Sequence, residues 1–122
     1  MAQGMNSNYW LETVTPLGAS ATFTGAARDS YGSGGGSASN PASASQWGYF
    51  SAVVNANQTG TVTLQGAQSS SGPWYPVATG SLVANVPLYL YTPICFQWFQ
   101  VVVVNGTSAQ GNMNVCTSFT SQ

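Results

Sequence analysis

From Gly60 to Ala67 apolar and polar residues alternate one by one, with Val62 and Leu64 on one side of the chain and Thr61, Thr63 and Gln65 on the other. A period of two is the mark of a half-buried β-strand. Similar signals recur along the chain. Ala19–Gly25 places Ala21 and Phe23 on one face, and Trp47–Ala56 is aromatic and β-branched. Ser69–Pro73 reads as a turn. Trp74–Ala78 is a short strand whose Pro76 points to an edge or a bulge. Gly80–Pro87 leads into Leu88–Pro93, and Cys95–Val104 and Asn112–Phe119 follow. No segment of useful length repeats at the helical period. About seven or eight short strands, with turn signals every ~8–12 residues, predict a single antiparallel, jelly-roll-like all-β sandwich.

Two segments depart from the strand pattern. Residues 1–16 show weak alternation and end at Pro16, which predicts an extended N-terminal arm ahead of a sandwich domain over 17–122. Tyr9, Trp10 and Leu11 put three large apolar residues in a row on that arm. They are candidate assembly contacts, since exposed apolar clusters mark partner surfaces. The alternative is that Trp10 folds back onto its own sandwich as an edge strand. Residues 31–46 are rich in Gly, Ser and Ala without periodicity and predict a long surface loop.

The last two strand segments allow a closer reading. Asn105-Gly106 is a strong signal for a type I′ hairpin turn. Pairing about it puts Val104, Val102, Trp98 and Phe96 on one apolar face with Met113 and Val115, and sets Cys95 opposite Cys116, close enough for a disulfide. A competing register with a loop from Asn105 to Gln110 keeps the same faces but separates the thiols. The two cysteines are then buried free thiols.

Charge changes the picture most. Only Glu12, Arg28 and Asp29 carry formal charge, 2% of the 122 residues, and there is no Lys or His. An ordinary domain carries about a quarter of its residues charged. Polarity here comes from Ser, Thr, Asn, Gln and Gly. Such a surface changes little with pH and does not repel its own copies. Nucleic-acid binding, which takes clustered Lys and Arg, is not expected. Nor is catalysis, because the commonest general bases are missing and Asp29 is better placed to pair with Arg28 or cap a turn. Metal and cofactor sites are not expected either. The Gly34–Gly36 run lacks the context of a phosphate loop. No apolar run approaches the ~18 residues of a membrane span. Met1–Asn6 lack the basic and apolar regions of a signal peptide, which fits a protein made in a cytosol and released by lysis.

Of the four tryptophans, Trp10, Trp47, Trp74 and Trp98, most are expected in the core or a subunit interface. Trp74 with Tyr75, or Trp47 with Tyr49, could instead form a stacking platform for a glycan or a partner. Asn57 and Asn105 begin glycosylation tripeptides.

Taken in order, Leu17–Gly25, Arg28-Asp29, Val54–Gln65, Ser70–Trp74 and Trp98–Gly111 resemble a family of small β-sandwich structural proteins of tailed-phage virions. That family's pattern is a "tFtG" strand, an "aDqaGtl-i" strand, an "S-DG-nW" turn and a closing "yvRv-y-NGataqt" hairpin. The likeness covers most of 17–119 apart from the Gly/Ser-rich stretch. Asn57 stands where the family has Asp, Ser71-Gly72 where it has Asp-Gly, and Gln97 and Gln100 or apolar residues where it has Arg. Each departure removes a charge. The resemblance implies a virion structural protein: a capsid decoration or a tail, turret or fibre subunit, packed against copies of itself and other virion proteins, with a host-surface glycan as a further candidate partner. It implies no catalytic residues. The rival readings are an extracellular filament subunit assembled by N-terminal strand addition, and a carbohydrate-binding module.

Overall fold

The computed structural model describes residues 9–30 and 48–120. Among these the chain forms nine strands: β1 (Tyr9–Thr13), β2 (Thr22–Thr24), β3 (Arg28–Asp29), β4 (Tyr49–Ala56), β5 (Gly60–Ala67), β6 (Tyr75–Leu82), β7 (Leu88–Pro93), β8 (Trp98–Asn105) and β9 (Met113–Thr120). One sheet runs β1-β9-β4-β7. The other runs β2-β8-β5-β6, with β3 also paired to β8. All pairings are antiparallel. The expected all-β sandwich is the fold of this chain.

The inner faces follow from alternation. β5 buries Val62 and Leu64 and turns Thr61, Thr63 and Gln65 outward, as its sequence predicts. β4 sends Phe50, Ala52, Val54 and Ala56 inward, and β9 sends Met113, Val115 and Phe119. The centre is an aromatic cluster: Phe50 stacks on Phe99 at 5.1 Å between ring centroids, and Phe119 lies 5.2 Å from Phe50. β6 is an edge strand, and its register with β5 shifts between Leu64 and Gln65, where Gln65 faces Pro76. The edge and bulge expected from Pro76 are both present.

The closing hairpin is not. β8 belongs to one sheet and β9 to the other, so the two do not pair. The physical reason is Asn105. Its side chain is buried, and its amide nitrogen donates to the carbonyls of Leu17, Gly18 and Ser108 at 3.3, 2.8 and 2.9 Å. Gln110 completes the corner. Its amide nitrogen donates to Asn105 Oδ1 and Gln58 O, and its Oε1 accepts from the backbone N–H groups of Asn57 and Gln58. Asn57 Oδ1 in turn accepts from the N–H groups of Gly111 and Asn112. Three amide side chains thus tie three loops together where the chain changes sheets.

The β8 face is reversed as well. Phe99, Val101 and Val103 are the core residues, while Trp98 and Val102 are half-buried on the outer side and Val104 is exposed. Phe96 lies before the strand, its ring over Gly66 where any side chain at that position would collide with it.

Candidate functional site

The outer face of the first sheet is set by register. One row across it runs Leu11, Cys116, Val53 and Tyr89, and the next runs Tyr9, Ser118, Ser51 and Tyr91. Below these Thr120, Tyr49 and Pro93 align. Ser51 and Ser118 share a hydrogen bond of 2.9 Å in the middle. Interaction with the Cys116 side chain, hydrogen bonding first, holds the Tyr9 hydroxyl above the ordinary tyrosine pKa. Leu11, Tyr9, Tyr49, Tyr89 and Tyr91 are all exposed. The face therefore offers aromatic rings, hydroxyls and aliphatic groups.

The three charged residues are elsewhere. Glu12 points inward from β1, its side chain only 3% exposed, and takes a bidentate ion pair from Arg28 on β3, Nε to Oε2 at 3.0 Å and Nη2 to Oε1 at 2.9 Å. Thr117 on β9 donates its hydroxyl to the same Oε2 at 2.6 Å. The guanidinium lies 4.3 Å from the Trp10 ring centre, and Trp10 meets Phe119 edge-on at 5.7 Å. The pairing of Arg28 with Asp29 expected from sequence gives way to Glu12, because neighbours on a strand point to opposite faces. Asp29 accepts from Gln97 Nε2 instead. The Glu12–Arg28 pair spans the two sheets and fixes β1 to the body of its own sandwich.

The other candidate residues are dispersed. Of Tyr9, Trp10 and Leu11, the first and last face outward and Trp10 packs against the core. Residues 9–13 are thus an edge strand paired with β9, while the first eight residues of the proposed arm lie outside the described residues. Cys95 is exposed between β7 and β8, whereas Cys116 sits in β9 beside Val53 and Leu11. Both are free thiols, because the hairpin that would bring them together does not form. Trp74 turns back over Gly72, which sits at φ +89°, and Tyr75 stacks on Phe96 at 6.1 Å. The two rings are therefore engaged separately. Asn105 is sealed in the loop corner and is closed to glycosylation. Trp47 and the Gly/Ser-rich loop from 31 fall outside the described residues, so the Trp47–Tyr49 pairing is not described either.

Sequence reasoning missed Tyr89 and Tyr91. The signal was present: Leu88-Tyr89-Leu90-Tyr91 alternates strictly, which sets both tyrosines on the face opposite the two leucines.

The chain is a small antiparallel β-sandwich with three charged residues and an outer face rich in tyrosine. The family described as the uncharacterised protein YqxG N-terminal domain matches residues 1–120, and the chain belongs to it. No curated protein matches the sequence. Among solved structures, the PBSX exported protein XepA superposes with a TM-score of 0.79 at 14% identity, covering 100% of this chain and 40% of that one. The chain thus spans less than half the length of that structure. PirA matches with a TM-score of 0.56 at 10% identity, covering 98% of this chain and 99% of that one. A Bacillus endospore appendage, from a family of disulfide-linked pili, matches with a TM-score of 0.50 at 10% identity, covering 99% and 95%. At these identities the likeness is one of fold. Among the described residues no helix is long and apolar enough to cross a membrane.

Proposed function

We propose that this chain is a non-catalytic virion structural protein, a capsid decoration or a tail, turret or fibre subunit that packs against copies of itself and other virion proteins. The observation that carries the reading is the charge content: one Arg and two acidic residues in 122, with Arg28 and Glu12 spent on each other inside the fold. A surface so nearly neutral does not hold its copies apart. The β1 edge supplies a contact, since Tyr9 and Leu11 stand exposed along a strand that pairs on one side only among the described residues. Unpaired edges template association, and about 1,600 Å² of buried surface suffices for a stable interface. The shared fold with the PBSX exported protein XepA supports the reading.

Negative-stain imaging and light scattering over rising concentration test it. The expected result is a defined oligomer or particle, and a Tyr9→Lys/Leu11→Lys variant that melts normally yet stays monomeric. A wild-type chain that remains monomeric at every concentration defeats the proposal.

A second reading, an extracellular filament subunit, is supported by the likeness to the Bacillus endospore appendage. There the N-terminal arm would add a strand to the next subunit's sheet. Filaments and closed particles separate the two in the same images.

A further inference from the structure

Three tyrosines share the β4–β7 half of the outer face. Tyr89 is 59% exposed, Tyr91 55% and Tyr49 40%. They are not independent. Tyr89 stacks on Tyr91 with ring centroids 5.6 Å apart and planes 29° from parallel, and Tyr49 meets Tyr91 edge-on at 5.7 Å and 80°. Each ring is held by a neighbour, and tyrosine has few rotatable bonds, so little side-chain freedom is lost when a ligand settles on it. Ser118, half-buried and hydrogen-bonded to the buried Ser51, lies in the row of Tyr91, and the exposed Asn55 and Asn114 lie opposite each other further along the same face. None of the three charged residues shares this face: Glu12 points inward and Arg28 and Asp29 belong to the other sheet.

We propose that this face binds a neutral polysaccharide. A sugar ring has an apolar C–H side that lies on an aromatic face and a rim of hydroxyls that exchange hydrogen bonds with Tyr, Ser and Asn. Charge decides against an ordinary protein partner. Such a surface carries about one charged residue in four, and burying those charges here, without counter-charges, is costly. A second copy of this chain is equally uncharged, and it is the rival occupant that the oligomer measurement below separates from a glycan.

The test is binding of the purified chain to immobilised soluble starch, hydroxyethylcellulose, galactomannan and mannan, with hyaluronate as the charged comparison, read by biolayer interferometry. At least one neutral polymer is expected to bind, with affinity unchanged by salt. Tyr91→Ala is expected to weaken it by about tenfold or more, since one aromatic contact carries roughly that factor. Tyr89→Ala, whose ring is the most exposed of the three, gives the same reading if Tyr91→Ala lowers the melting temperature. Tyr75→Ala, whose ring stacks on Phe96 instead, leaves binding unchanged. The proposal is overturned if no neutral polymer binds, if hyaluronate binds as well, or if the Tyr89→Ala/Tyr91→Ala variant binds like wild type. It is also overturned if that variant only turns an oligomer into monomers while polysaccharide binding persists. Particle or oligomer formation is read separately by light scattering, so loss of one property does not mask the other.

Discussion

Arg28→Met isolates the Glu12 carboxylate, and the consequence can be worked through from its surroundings. The substitution keeps most of the side-chain length over Trp10 and removes both guanidinium donors. Glu12 is then left 3% exposed with the Thr117 hydroxyl as its remaining described donor. Stranding a buried charge in this way costs about 3–5 kcal/mol. Arg28 is itself 23% exposed, so water reaches that side of the pair and the lower end, about 3 kcal/mol, is the expected loss. In a domain worth about 5–15 kcal/mol this is a large fraction. It corresponds to a fall in melting temperature of roughly 10 °C. Urea unfolding followed by tryptophan fluorescence suits the measurement, because Trp10 lies against the guanidinium. The companion Glu12→Gln/Arg28→Met removes both charges, leaves an amide for Thr117 to donate to, and should recover at least half of the loss. Arg28→Met within about 0.5 kcal/mol of wild type, the range of an ordinary surface change, would refute the argument. So would a double variant no more stable than Arg28→Met.

Phe99→Ala should cost about 3–5 kcal/mol because the ring is fully buried, whereas Trp98→Ala on the outer side should cost clearly less; equal losses in urea would show that the β8 face is misassigned. Asn105→Ala leaves the carbonyls of Leu17, Gly18 and Ser108 without their shared donor, and a loss of about 2–3 kcal/mol is expected from thermal melting, against near-neutrality if the corner is incidental. Gly66→Ala should displace the Phe96 ring and with it the Tyr75 stack; an unchanged near-ultraviolet circular dichroism spectrum would contradict this. Melting between low salt and about 1 M NaCl should barely move, because screening acts on exposed charges and the Glu12–Arg28 pair is largely inside; a shift of many degrees would place an ion pair at the surface.

Local pattern carried the strands, and tertiary choices did not show in it. β5 was legible to the residue because Val62 and Leu64 alternate with Thr61, Thr63 and Gln65, so only one assignment of faces is possible. β8 contains Val101-Val102-Val103-Val104, a run that is apolar on both sides and leaves the faces undecided. The bulk of Trp98 and Phe96 then pointed the wrong way. Phe99 shares its face with Val101 and Val103, and that face meets Phe50 and Phe119 from the other sheet. Asn105-Gly106 failed for a different reason. The dipeptide favours a hairpin when the Asn side chain is free to sit at the surface, but here three backbone carbonyls from two loops compete for its amide. Burial of that amide routes the chain across to the opposite sheet.

The placement of the charges is not written in any local pattern. Glu12 and Arg28 are 16 residues apart and meet only because β1 and β3 border the same end of different sheets. Nothing in either segment names the other. Once paired, they leave the outer face without charge, and this ties the composition to the surface. A chain with only three charges could have left them on any exposed patch, where each would impose pH and salt dependence on whatever docks there. Two of them are instead joined between the sheets, and Asp29 is held by Gln97. The tyrosine face is accordingly neutral by placement as well as by count. A new charge in its middle is therefore a sharper probe than a truncation. Val53 lies between Cys116 and Tyr89 on this face and is partly open to solvent, so Val53→Lys should fold. If the face works through uncharged contact, that lysine abolishes the contact while melting stays within a few degrees of wild type. Retention of both assembly and polysaccharide binding in Val53→Lys would mean that the working surface lies elsewhere on the molecule.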